Sequence, residues 1–308
     1  MIISERPPFS SLLRIVLLVI VLGWMVVGQG VGILVGMAIY GQDFLFAMAK
    51  PTADKDVTFA ILFSQGVGSV VGLVFVPWYY LKTSEGQNFN GFFNKENNWA
   101  ALILVVFISV FAMLISLTPI NEWNSNFEFP GWMSGFGNWA RKMETTAEEI
   151  LKAITGNMTS ISFALTFIVV AIIPAVGEEL VFRGLIQTEI IRGLKSPHVG
   201  ILIASIFFSA IHLQFFGFLP RLVMGLFLGY LYYWSGNLLV SMLAHFCING
   251  IQVVALYLSQ KGIISINVEG NESQPLPVVV LSAFIAILGL YYLRNYFISR
   301  STSAGGPV

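Results

Sequence analysis

Residues 161–184 read ISFALTFIVVAIIPAVGEELVFRG, an apolar run that ends in two adjacent glutamates, Glu178 and Glu179, with Arg183 four residues after the second. A helix needs roughly 20 apolar residues to cross the hydrocarbon core of a bilayer, and residues 161–182 supply that length. The stretch therefore predicts a membrane span with ionisable groups at its end. Such groups cost about 2.5 to 3.5 kcal/mol or more inside a span, and they commonly mark a pathway or a reactive site.

The chain on either side has the same character. Further spans are predicted at about 15–40, 57–81, 98–118, 198–213, 217–234, 237–258 and 277–298, of which 198–213 is short. Of the 308 residues, 56% are hydrophobic and 10% charged, with a mean hydropathy of +0.80, whereas a soluble domain carries about a quarter charged residues. The expected fold is an all-α, polytopic transmembrane bundle of about eight spans with a polar intramembrane cavity. Its place is in a cell membrane, the inner one if the host is bacterial.

Sixteen basic and sixteen acidic residues balance, and no basic cluster interleaves with aromatics, which argues against a nucleic-acid partner. Cys247 is the only cysteine, so disulfides play no part. Arg6 and Arg14 ahead of an apolar run imitate a signal peptide, but the run continues to Tyr40 and reads as a retained first span. Lys and Arg divide almost evenly between the two sides, with cytoplasmic termini preferred.

Three regions follow: 1–139, with the first three spans and an interfacial loop; 140–258, with the candidate site; and 259–308, with a loop, the last span and a polar tail. Trp123, Phe127, Phe129, Trp132 and Phe136 among four asparagines suit the interfacial aromatic belt. Ala140–Ile154 has apolar residues at helical spacing and predicts an amphipathic surface helix. Gly32-xxx-Gly36 and Gly225-xxx-Gly229 are small-xxx-small patterns and read as close helix packing.

Three segments place polar groups where lipid should exclude them. On a helix Glu179 and Arg183 can pair, while Glu178 projects about 100° away and stays available as a general base. A charged helix end solvated by headgroups accounts for the same residues equally well. In the fifth span a histidine, His212, follows Phe208 by four residues; it can take a proton or bind a metal, although a lone intramembrane histidine is more often a packing contact. His245 and Asn249 lie one turn apart in the seventh span. They can present N–H donors as an oxyanion hole does, or make an interhelical contact. His198 follows Pro197 and reads as interfacial.

The ordered set Glu178-Glu179-x-x-x-Arg183, Phe208-x-x-x-His212 and His245-x-x-x-Asn249 resembles the CPBP family of intramembrane peptidases, over about residues 140–258. That family includes CAAX prenyl endopeptidases, bacteriocin-processing and immunity proteins, and lysostaphin-resistance-like proteins. The resemblance implies peptide-bond hydrolysis in the membrane, with Glu178 and His212 activating water and His245 and Asn249 stabilising the oxyanion. Glu179 and Arg183 would hold the geometry, with Phe208 packed beside the site. The implied partners are a peptide or protein substrate at the membrane and the lipid bilayer.

No cofactor is expected. The alternative is a zinc ion on Glu178, His212 and His245, which are acceptable ligand types, although Asn249 is a poor ligand and no HExxH helix is present. Cys247 points about 200° away from His245, and Ser209 has no visible base and orienter. Two other functional classes fit a bundle of this kind: a proton-coupled transporter using Glu178 and His212 as a relay, and a non-catalytic adaptor or immunity protein.

Overall fold

The structure is a computed structural model, and it describes residues 10–49, 55–93, 96, 98–156, 158–264 and 273–303. Parts of the 262–277 loop and of the tail, together with Arg6, Lys50 and Lys95, lie outside these residues. Among the described residues the chain is helical, with no strand.

Among the described residues seven helices are long and apolar enough to cross a membrane: α1 (Ser11–Tyr40), α2 (Asp56–Glu85), α3 (Trp99–Ser125), α5 (Ser160–Leu194), α7 (Phe215–Ser235), α8 (Leu238–Gln260) and α9 (Leu276–Arg300). Between α3 and α5 lies α4 (Ser134–Thr155), the expected amphipathic helix, which starts six residues before Ala140. The eighth apolar segment, α6 (Pro197–Ala210), has 14 residues. At 1.5 Å per residue it spans about 21 Å, less than a hydrocarbon core of about 30 Å. The protein is an integral, multi-pass membrane protein, as its exposed large residues also require: Leu34, Leu104, Ile161, Leu281 and Ile287 face outward, where water would penalise them.

Helix α5 continues twelve residues beyond 182, where hydropathy alone ends it. The charged residues that lower its apparent hydropathy are turned inward, with Glu179 0% and Arg183 1% exposed. They lie in the middle of a 35-residue helix, so the reading of a solvated helix end does not hold. Thr159 caps the helix through the Ser162 amide, and the Ser162 hydroxyl accepts in return from the Thr159 amide, which satisfies two groups left free at a helix start.

Two apolar clusters flank this helix. One joins Ile15, Val19 and Leu73 to Val181, Phe182, Ile186, Ala204 and Phe208, from α1, α2, α5 and α6. The other joins Leu102, Val106 and Val110 of α3 to Leu228, Ala244, Ile248 and Leu293 of α7, α8 and α9. The seam between α5 and α8, bridged by Leu180, Leu238 and Met242, is where the polar residues collect.

Small residues set the helix spacing. A Cβ at Gly28 would lie 2.7 Å from the Gly68 carbonyl oxygen and 3.1 Å from Gly72 Cα, and one at Gly32 would lie 2.6 Å from the Ser64 carbonyl oxygen. Both positions face α2, so packing in the first span is intrachain and uses both helices' small residues. At Gly177 a Cβ would meet Leu73 Cβ at 2.6 Å, which brings α2 against α5 one residue before Glu178. A Cβ at Gly30 meets nothing within 4 Å. Gly28→Ala is therefore expected to cost about 1 to 3 kcal/mol by forcing two backbones apart, while Gly30→Ala is neutral or slightly stabilising. Thermal unfolding in detergent compares the pair, and equal midpoints would contradict the packing described.

Candidate active site

The site is built on one buried carboxylate. Glu179 Oε1 accepts a hydrogen bond from the Arg183 guanidinium at 2.7 Å and a second from His245 Nδ1 at 2.8 Å. The first is the expected pair one helical turn apart on α5; the second crosses to α8. Arg183 also donates to the Gly225 carbonyl on α7 at 3.2 Å, and its guanidinium lies 4.4 Å from the centre of the Phe208 ring on α6. Charge-assisted bonds of this kind offset the cost of burying ions only when the donors are fully used, and here they tie four helices together.

One turn further along α5, Gln187 donates to the Gly229 carbonyl at 3.0 Å. Gln187 therefore forms a second rung parallel to the bond from Arg183 to Gly225, a role absent from the sequence reading. The available signal was the four-residue spacing of Glu179, Arg183 and Gln187. The Gln187 rung explains Gly229, where a Cβ would sit 2.8 Å from the Gln187 side-chain oxygen, and Gly225 faces α6, where a Cβ would sit 3.0 Å from Ser205 Cβ. Here too the pattern packs helices within the chain.

Glu178 lies on the other side of the same imidazole. Its Oε2 is 3.9 Å from His245 Nε2, with the side chain 13% exposed. The adjacent glutamates are thus divided: Glu179 is held in direct hydrogen bonds, while Glu178 stands beyond direct hydrogen-bond length from its neighbour.

His212 follows the C-terminal end of α6, where its Nδ1 lies 2.8 Å from the Phe208 carbonyl oxygen. A carbonyl only accepts, so this nitrogen carries the proton and Nε2 presents its lone pair. The Phe208 ring meets His212 edge-on at 5.3 Å and His245 at 5.8 Å between centres. Phe208 therefore packs against both imidazoles and the guanidinium.

Asn249 donates to the Val170 carbonyl at 3.0 Å. That carbonyl lies in the turn Phe167–Ile172, where α5 widens to bonds five residues apart, as from the Ile173 amide to the Ile168 carbonyl. Asn249 thus ties α8 to the widened turn of α5, and its second amide hydrogen remains for other work. On His245, Nδ1 is held by Glu179, so any donation toward a substrate must come from a protonated Nε2.

The remaining candidates lie apart. His198 Nδ1 is 2.8 Å from the Tyr230 hydroxyl, Ser209 donates to the Phe218 carbonyl, and Cys247 is buried in the apolar cluster with Leu228 and Ile248. Among the described residues no three His, Cys, Asp or Glu side chains gather as a ligand set. The zinc arrangement of Glu178, His212 and His245 therefore lacks geometric support, and no step below runs through a metal. A surface hollow lined by Glu122, Trp123, Phe127 and Glu128 contains none of the motif residues.

Two substitutions probe this construction. Arg183→Leu leaves Glu179 buried without its guanidinium and is expected to cost about 3 to 5 kcal/mol, read as a lower unfolding midpoint in detergent. Asn249→Leu is expected to cost about 1 to 3 kcal/mol, because the Val170 carbonyl loses its donor. An Asn249→Leu protein as stable as wild type would contradict this role for Asn249.

An uncharacterized protein of Bacillus subtilis (strain 168), YpbD, is 34% identical over 88 residues, which are 27% of this chain and 42% of that one. The chain thus spans under half the length of the curated relative it matches. No solved structure gives a significant match. Residues 160–251 match the model of the type II CAAX prenyl endopeptidase Rce1-like family, so the membrane core that carries all three motifs has this family's signature, and the resemblance stands for that part of the chain.

Proposed function

We propose that the protein is an intramembrane endopeptidase that hydrolyses a peptide bond of a membrane-associated or leader-bearing substrate, using water activated by Glu178 and His212. The observation that carries this reading is the division of labour between adjacent glutamates. Glu179 is held by Arg183 and His245, while Glu178 faces His245 Nε2 from 3.9 Å without a direct hydrogen bond to it.

In this mechanism a water molecule donates one proton toward Glu178 and a hydrogen bond to His212 Nε2. Its oxygen adds to the scissile carbonyl carbon as Glu178 takes the proton. The oxyanion is met by Nε2–H of His245, whose Nδ1 is held by Glu179, and by the second amide hydrogen of Asn249. Glu178 then returns its proton to the amide nitrogen as the C–N bond breaks, leaving an amine and a carboxylic acid that keeps water's second proton. A carboxylate in a poorly hydrated place is suited to both halves of that exchange.

The matched family is named for cleavage of prenylated CAAX proteins. Nothing in this chain's residues selects a prenyl group, so the substrate class proposed is a peptide or protein at the membrane. Loss of one oxyanion-hole donor costs about 10² to 10³ in kcat. Asn249→Leu should therefore lower kcat by about that factor in the protein that remains folded.

The deciding experiment compares wild type with Glu178→Ala in native membranes by mass spectrometry of new peptide termini. New termini should depend on Glu178, with cleavage falling about a thousandfold or more if general-base and positioning effects are both lost, and they should persist after exhaustive zinc chelation. Glu178-dependent proton flux without cleavage would replace this reading with a transporter. Identical termini and no flux would leave a non-catalytic adaptor.

A further inference from the structure

The turn that joins α6 to α7 carries His212 and is held in a costly conformation. Leu213, the residue after His212, has φ +57°, a left-handed backbone that a branched side chain rarely adopts without outside support. That support comes from residues outside the three motifs. Glu144 of α4 accepts from the Phe216 backbone amide at 3.2 Å and from the Gln214 side chain at 3.2 Å. Arg221 of α7 closes the other side, donating to the Gln214 carbonyl at 3.4 Å and to its side-chain oxygen at 3.1 Å. From α3, Asn124 donates to the Phe215 carbonyl at 3.1 Å and accepts from the Leu219 amide at 2.9 Å.

Two features show that this contact is built into the fold. The Arg141 guanidinium, also on α4, lies 3.6 Å from the centre of the Phe216 ring, so the surface helix grips the turn at two points. Burial moves the Glu144 carboxyl above its ordinary pKa, against the opposing pull of Arg221 and the Phe216 amide. That helix therefore gives up hydration of an acidic side chain in order to dock. Arg221 also acts electrostatically on Glu178 and His212, so the clamp stands within the field of the candidate site.

We propose that Glu144 is a positioning residue: by holding Phe216 and the Gln214–Arg221 pair, the amphipathic helix α4 fixes the strained turn after His212 and so sets where the His212 imidazole stands. The role rests on the peptidase reading only for its consequence in catalysis. The positional claim is independent of it. With α4 undocked, Leu213 relaxes to negative φ and the His212 imidazole shifts from its place against Phe208. Displacements of about 1 Å in such sites cost about a hundredfold in rate.

The test uses the full chain in detergent micelles with ¹⁵N-labelled imidazoles, the histidine signals being assigned by single substitutions, together with steady-state cleavage of a substrate found through Glu178 dependence. The variants are Glu144→Ala, Gln214→Ala and, as a control on an exposed face of the same helix, Glu149→Gln. Glu144→Ala should shift or broaden the His212 signals, leave those of His198 in place and lower kcat about tenfold to a hundredfold, with KM within about twofold. Gln214→Ala, which cuts only the side-chain arm of the clamp, should move the same signals less, and it serves if Glu144→Ala fails to fold. Unchanged His212 signals in a folded Glu144→Ala or Gln214→Ala protein would overturn the proposal, as would an equal change in Glu149→Gln. Moved His212 signals in a protein that cleaves nothing even as wild type would uphold the clamp and discard the peptidase reading.

Discussion

The Glu179 carboxylate, shared between Arg183 and His245, is the interaction on which the rest of the structure depends. A carboxylate and a guanidinium held away from both water and lipid are costly unless hydrogen-bonded, and the bonds made by Glu179 Oε1 and Arg183 recruit the surrounding helices, while Glu179 Oε2 has no partner. The His245 bond draws in α8, the Gly225 carbonyl draws in α7, and the Phe208 ring draws in α6. The cost of burial thus becomes a geometric specification of where α5, α6, α7 and α8 stand. One consequence is chemical: with Glu179 committed, its neighbour Glu178 is left facing the opposite nitrogen of the same imidazole.

Close backbone approach is the second constraint, and it works with the first. Gln187 on α5 reaches its carbonyl on α7 where Gly229 presents no Cβ, and Gly225 lets α7 close on Ser205 of α6. A widened helical turn acts in a complementary way. Within Phe167–Ile172 of α5 the Val170 carbonyl serves as an anchor for Asn249 on α8. Both devices turn backbone groups, which lipid would otherwise force into intrahelical bonds, into contacts between helices.

Much of this was legible in the sequence, and what was missed has physical reasons. The motif residues stood out because an ionisable group in an apolar run is conspicuous, and Glu179 with Arg183 could be paired by helical spacing alone. The bond from Glu179 to His245 joins residues 66 positions apart, a separation that spacing rules do not span. Gln187 was overlooked because the α5 span was ended at 182. A hydropathy window treats every polar side chain as lipid-facing, whereas Arg183 and Gln187 face protein. Asn124 was assigned to the interfacial belt with its aromatic neighbours, yet it is 2% exposed and holds both ends of the 215–219 segment. Glu144 could be placed on the polar face of an amphipathic helix, but no periodicity says which turn that face covers.

The central claim is that this hub leaves Glu178 to act on water, with no covalent bond to the enzyme. Single-turnover cleavage in ¹⁸O-labelled water, with the new C-terminal carboxylate read by mass spectrometry, tests it most directly. Direct attack by activated water predicts one ¹⁸O atom in that carboxylate from the first turnover onward. An unlabelled C-terminus in the first turnover would show that an enzyme carboxylate oxygen was transferred instead, and would contradict the account.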